Sequence, residues 1–101
     1  MKLEVEAGAS IELPSAADIA RELSELSFPD NKFAILKHGK LFIQAYRNED
    51  DTFTLEHSEG SIDRMFQYEP ATLKEAVEAM QRFLSGADYR SVVSFQPLSL
   101  D

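Results

Sequence analysis

Two amphipathic stretches and a run of four short aromatic-rich segments predict one α+β domain, a mainly antiparallel sheet with two helices on one face. The order reads strand, helix, four-strand meander, helix, strand. At 101 residues, 44% of them hydrophobic and 28% charged, the chain suits a single folded domain spanning residues 1–101. A chain of this size hides roughly 65% of its unfolded surface, so one modest core forms without staples.

Residues 2–7 alternate Leu3, Val5 and Ala7 with Glu4 and Glu6, the pattern of a half-buried strand, and Gly8 ends it. Ser15 then caps a helix whose first turn holds Asp18. Ile19, Ala20, Leu23 and Leu26 share one helical face, and Phe28-Pro29 closes the helix because the residue before proline is biased from α geometry. The meander occupies residues 33–37, 41–47, 52–57 and 62–68. His38-Gly39 reads as a two-residue hairpin turn, with glycine supplying the positive φ. Asn48-Glu49-Asp50-Asp51 and Ser58-Glu59-Gly60-Ser61 read as polar loop tips. Thr72 and Glu75 form a capping-box pattern for a second helix, striped by Leu73, Ala76, Val77, Met80 and Leu84 with Phe83 at its edge, and Gly86 stops it. Ser91-Val92-Val93-Ser94-Phe95 reads as a closing strand ended by Pro97. The positions of the first and last strands in the sheet stay open.

Acids outnumber bases 18 to 10, for a net charge of −8. That balance argues against nucleic acid, whose phosphates need Lys and Arg, and against an anionic membrane surface. With no cysteine, disulfides, thiolate metal sites and a cysteine nucleophile are excluded. The N-terminus carries acids where a signal peptide needs an apolar stretch, and no apolar run approaches the roughly 20 residues of a membrane span, so the cytoplasm is the expected location.

The charge is unevenly distributed. Residues 31–48 hold Lys32, Lys37, Lys40 and Arg47 with no acid, a local +4, whereas residues 49–69 carry −6 and residues 1–30 carry −5. If segments 41–47 and 52–57 pair as a hairpin, basic and acidic strands can exchange charge across it. Seven acids in residues 49–69 exceed the four bases, and the excess marks Glu49, Asp50, Asp51, Glu56, Glu59 and Asp63 as a surface for a basic partner. Glu49-Asp50-Asp51 lacks the spaced acids, glycine and terminal glutamate of a calcium loop, and Glu56-His57-Ser58-Glu59 lacks the further nitrogen or sulfur ligands zinc wants, so no metal is expected. No phosphate-cradling glycine loop, dinucleotide fingerprint or nucleophile elbow appears, and no cofactor is expected.

His57 is the one candidate base, with Asp63 available to orient it, yet Ser58 beside it points to the opposite strand face. A histidine among carboxylates on a half-exposed strand reads as a surface pair, and the chain as no enzyme. The competing reading is a small-ligand groove formed by His57 with Tyr46 or Tyr68. Strand 41–47 carries apolar residues on both faces, Leu41, Ile43 and Ala45 on one and Phe42 and Tyr46 on the other. The face away from the helices is then covered by the N-terminal segment, floors a groove, or joins two copies as a homodimer.

From Phe33 to Leu98 the chain resembles small acidic bacterial immunity proteins of toxin–immunity systems. The resemblance lies in Phe33-Ala34-Ile35-Leu36, Phe42-Ile43-Gln44, Phe53 to Ser61, the Leu73–Leu84 helix, Gly86 and Val93 to Leu98. It implies a non-enzymatic domain that blocks a toxin, often a basic nuclease. Secretion chaperones, which bind secreted effectors, are similar in size, acidity and α+β character. The first expectation is therefore a protein-binding module whose Glu49–Asp63 region engages a basic toxin domain or secreted effector.

Overall fold

The computed structural model describes residues 1–61 and 64–98. Its elements are β1 (Lys2–Val5), β2 (Ser10–Glu12), α1 (Ala16–Ser24), β3 (Phe33–His38), β4 (Leu41–Arg47), β5 (Phe53–Glu59), β6 (Met65–Ala71), α2 (Leu73–Ser85) and β7 (Gln96–Pro97). The strands form one seven-stranded antiparallel sheet in the order β2-β1-β3-β4-β5-β6-β7. Both helices cover one face, which gives the α+β architecture expected from the sequence.

Helix ends follow local chemistry. At α1 the Asp18 amide donates to Ser15 Oγ (3.1 Å) and the Ser15 amide donates to Asp18 Oδ2 (2.8 Å). At α2 the Glu75 amide donates to Thr72 Oγ1 (3.1 Å) and the Thr72 amide to Glu75 Oε1 (2.9 Å). Each reciprocal pair satisfies backbone donors that a helix start leaves unpartnered. Gly86 ends α2 with φ of 80°, in the left-handed region that disfavours a side chain.

Strand parity builds the core. Ala34 and Leu36, Ile43 and Ala45, and Phe53 and Leu55 point toward the helices and are buried with Leu3 and Val5. Ile19, Leu23 and Leu26 meet them from α1, and Ala76, Ala79, Met80 and Phe83 from α2. The apolar stripe of α2 is thus rotated from the expected one. Leu73 is exposed, Val77 and Leu84 are half-buried, and Ala79 and Phe83 face the sheet.

Four sequence expectations are corrected. The first strand stops at Val5, where the Val5 amide donates to the Ala9 carbonyl (2.9 Å) and turns the chain into β2, a strand too short to show a period. The hairpin turn is Gly39-Lys40, because His38 is already paired with Leu41. Residues 91–95 form turns instead of a strand. The Arg90 amide donates to Asp88 Oδ1, Ser91 Oγ to the Asp88 carbonyl, and the Phe95 amide to the Val93 carbonyl, local bonds that displace a sheet ladder. The closing strand is only Gln96–Pro97. β6 begins at Met65 and runs on to Ala71, with a register shift between Phe53 and Leu55 that accommodates Pro70. The expected start of that strand at Ile62 and Asp63 lies outside the described residues.

Removing the cap of α2 isolates its contribution. Thr72→Ala is expected to cost about 1 kcal/mol, since an N-cap hydroxyl contributes that much. Urea denaturation should show a lower midpoint at unchanged slope.

Candidate functional site

Register sorts the candidate residues onto two faces. Ile43, His57 and Phe66 lie in one row, and Ala45, Leu55 and Tyr68 in the next, all toward the helices. Gln44, Glu56 and Gln67, and beside them Tyr46 and Thr54, point to the other face, which bears no helix. The structure therefore brings His57 and Tyr68 to one face and places Tyr46 on the other. A groove combining Tyr46 with His57 does not form.

The environment of His57 also differs from the half-exposed one expected. It is 1% exposed. Phe66 stacks on the ring at 4.8 Å between centroids, while Tyr89 (5.1 Å) and Phe95 (4.6 Å) meet it edge-on. Neither ring nitrogen has a hydrogen-bond partner. Burial drives its pKa down to about 4, with Arg90 adding to the effect and Glu59 opposing it. The imidazole is neutral near pH 7. Above it lies a cleft of about 560 Å³, walled by Glu59, Phe66 and the Arg90–Phe95 turns. Ser58, on the opposite face as expected, is also buried, and its Oγ accepts from the Gly60 amide at 3.2 Å.

The acids separate as well. Glu59 shares the His57 face and pairs with Arg90 (2.9 Å) and Arg64 (3.7 Å), so its charge is internally matched. Glu49, Asp50 and Asp51 sit in the turn at the other end of β5, about 20 Å away along an extended strand. Asp50 accepts from the Thr52 hydroxyl (2.6 Å) and amide (3.0 Å), bonds that lower its pKa. Asp51 pairs with Arg47 at 3.2 Å. Asp63 lies outside the described residues.

Charge exchange across the β4–β5 hairpin is not what neutralises the basic stretch. Glu56 faces Gln44, Glu59 faces Leu41, and Arg47 faces Phe53, over whose ring its guanidinium lies at 5.5 Å. Lys37 pairs instead with Glu4 (2.8 Å) and Lys32 with Glu6 (3.8 Å), because β1 lies beside β3. The N-terminal acids thus match two of the four central bases, and Arg47 is matched by Asp51 in the turn.

What remains is an acidic group on the open face. Thr54 Oγ1 donates to Glu69 Oε2 at 2.7 Å, which fixes Glu69 beside the row holding Glu56. Burial, and then the charge of Glu69, push the Glu56 pKa up. Among the described residues, no Lys or Arg lies within salt-bridge distance of Glu49, Glu56 or Glu69. A shallow cleft of about 610 Å³ runs between Asn48, Glu49, Asp50 and Thr52 on one side and Glu69 and Pro70 on the other. Half-buried Phe33, Ile35, Phe42 and Tyr46 continue this face over β3 and β4, uncovered by the N-terminal segment, which lies beside them in the sheet. Glu69, one of the seven acids of residues 49–69 but not among the candidate site residues, takes its place from the β6 register shift. Arg90, Tyr89 and Phe95, also outside that set, are brought to His57 by the turns after α2. The alternation of Phe53, Leu55 and His57 was the available sign that the histidine faces the core.

Among the described residues, no three His, Asp or Glu side chains converge to hold a metal ion. No helix there is long and apolar enough to cross a membrane.

The raised pKa of Glu56 has a direct consequence for stability. Its folded-state carboxyl holds a proton more tightly than the unfolded chain does, so ionisation opposes folding above the ordinary value of 4.5. Glu56→Gln should stabilise the protein at pH 7 by a few tenths of a kcal/mol, typical of an exposed charge contact. Urea denaturation at pH 7 and pH 4 should show that gain shrinking in acid. Comparison with protein-family models, with curated proteins and with solved structures finds no match to this chain, so the functional reading rests on its own geometry.

Proposed function

We propose that the chain is a non-enzymatic protein-binding module whose open sheet face receives a basic protein, a toxin domain neutralised by an immunity protein. The observation that carries this reading is the group Glu49, Glu56 and Glu69, uncompensated by any described base, in which burial and then the charge of Glu69 raise the Glu56 pKa. A Lys or Arg from a partner would offset that charge and form charge-assisted hydrogen bonds. Phe42, Tyr46 and Phe33 beside it offer apolar and aromatic area, the composition of an interface centre rather than of a solvated sheet. The net charge of −8 would also speed encounter with a basic partner. Asp50, Asp51 and Glu59 take a lesser part, since their carboxylates already serve Thr52, Arg47 and Arg90. On this reading the module acts in the bacterial cytoplasm, where it protects the cell that makes the toxin. A secretion chaperone would use the same face for a secreted effector.

The test is co-expression with basic domains encoded beside the gene. A neighbouring toxin domain should co-purify with the chain and lose its toxicity. Glu49→Lys with Glu56→Lys should weaken that complex at least tenfold, as expected for lost and reversed interfacial charge, while circular dichroism shows the fold retained. Affinity unchanged by this double reversal would remove the open face as the binding surface. Rescue of secretion rather than of growth would favour the chaperone.

A further inference from the structure

The acidic face leaves His57 unused, and its setting is unusual for an ionisable group. Its two nitrogens are sealed from solvent and bonded to nothing, inside three aromatic rings. Two of those rings, Tyr89 and Phe95, belong to the segment after α2, which folds back over β5 and β6. Phe83 of α2 lies against Tyr89 on its far side, at 5.1 Å between centroids.

That segment is lightly tied to the sheet. β7 contributes two paired positions, Phe66 with Pro97 and Gln67 with Gln96, and proline has no N–H to donate. The Leu98 amide donates to the Met65 carbonyl at 2.8 Å, and Arg90 reaches Glu59 at 2.9 Å. Val93 is buried in the core. Arg82 of α2 donates to Ser91 Oγ at 3.4 Å, Val92 packs beside the core, and Tyr89 and Phe95 pack both there and on the uncharged imidazole.

We propose that Tyr89–Leu98 is an acid-released clasp: neutral His57 seals it against the sheet, and protonation of that imidazole frees it and bares the outer edge of β6.

An imidazolium in this cage would have no acceptor for either N–H. A buried unpaired charge is costly, and stacking against aromatic faces recovers only part of the loss. The charged and titratable groups around the ring are Glu59 on β5 and Tyr89 and Arg90 on the clasp, with Arg64 beyond Glu59. Glu59 favours the proton, but its carboxylate is engaged by Arg90 and Arg64. Arg90 opposes the proton, as does burial, and the closed-state pKa falls to about 4 against an ordinary 6.5. The closed form therefore binds fewer protons than the open one, and acid favours opening as pH falls from 6.5 toward 4. With those two values, the open population rises about eightfold by pH 5.5 and about 20-fold by pH 5, relative to pH 7.

Native-state hydrogen exchange on the full chain, in low urea and from pH 7.5 to 5, tests this. After normalisation for intrinsic exchange, the Leu98 amide should open with little urea dependence and with the stated pH response. Ile43 and Leu55 should exchange only by urea-sensitive global unfolding. His57→Phe, which keeps the aromatic packing, should abolish the pH response of Leu98, and Glu59→Gln should leave it. Carbon–proton spectra of the wild-type imidazole decide the matter even if the variant fails to fold, because the closed protein should show His57 titrating well below 6.5. An ordinary His57 titration overturns the proposal. So does a Leu98 amide that opens only together with the core, or one that responds to acid equally in His57→Phe.

Discussion

The paired rows Ile43–His57–Phe66 and Ala45–Leu55–Tyr68 turn one face of three adjacent strands toward α1 and α2. Because side chains alternate strictly along a strand, that register also commits Gln44, Tyr46, Thr54 and Glu56 to the opposite face. A slip by one residue would bring Glu56 under the helices and expose Leu55. The buried core, the sealed histidine and the acidic open face are consequences of one pairing choice, held by the apolar row that the helices cover.

Electrostatics follow from the sheet order. Placing β1 next to β3 lets Glu4 and Glu6 meet Lys37 and Lys32, so two of the four central bases are matched from the other side of the sheet. The carboxylates of the β4–β5 turn then divide by duty. Asp50 braces Thr52 and Asp51 holds Arg47, while Glu49 joins Glu56 and Glu69 as negative charge without a local counterpart. Net charge described the whole chain correctly but did not distinguish carboxylates that fold the turn from those open to a partner.

Much of the fold was legible because its signals are local. Ser15 with Asp18 and Thr72 with Glu75 announce helix starts within four residues, and Gly86 marks a stop through its own φ preference. β4 was readable from its aliphatic and aromatic alternation. β2 was not, since three residues carry no usable period. Val92 and Val93 suggested a strand, but the hydrogen bonds around Asp88 and Ser91 made turns there, and Val93 fills the core from a bend. The site was harder to read because it joins distant parts of the chain. Arg90 meets Glu59 from 31 positions away, and Glu69 reaches Thr54 across a register shift that no local pattern announces.

The sheet is wide, yet both its borders are very short. β2 presents three residues and β7 two, one of them a proline. Exposed strand edges are templates on which other chains add strands, and natural sheets blunt them by brevity, charge and proline. Here Glu12 flanks one border and Pro97 interrupts the other. Beyond Phe66 and Gln67 the outer edge of β6 has no partner strand, and there Glu69 and Pro70 supply the charge and the missing donor that blunt an edge. While the clasp is closed, the face is therefore the part of this sheet best placed to meet another protein, and edge-to-edge pairing is opposed at both borders.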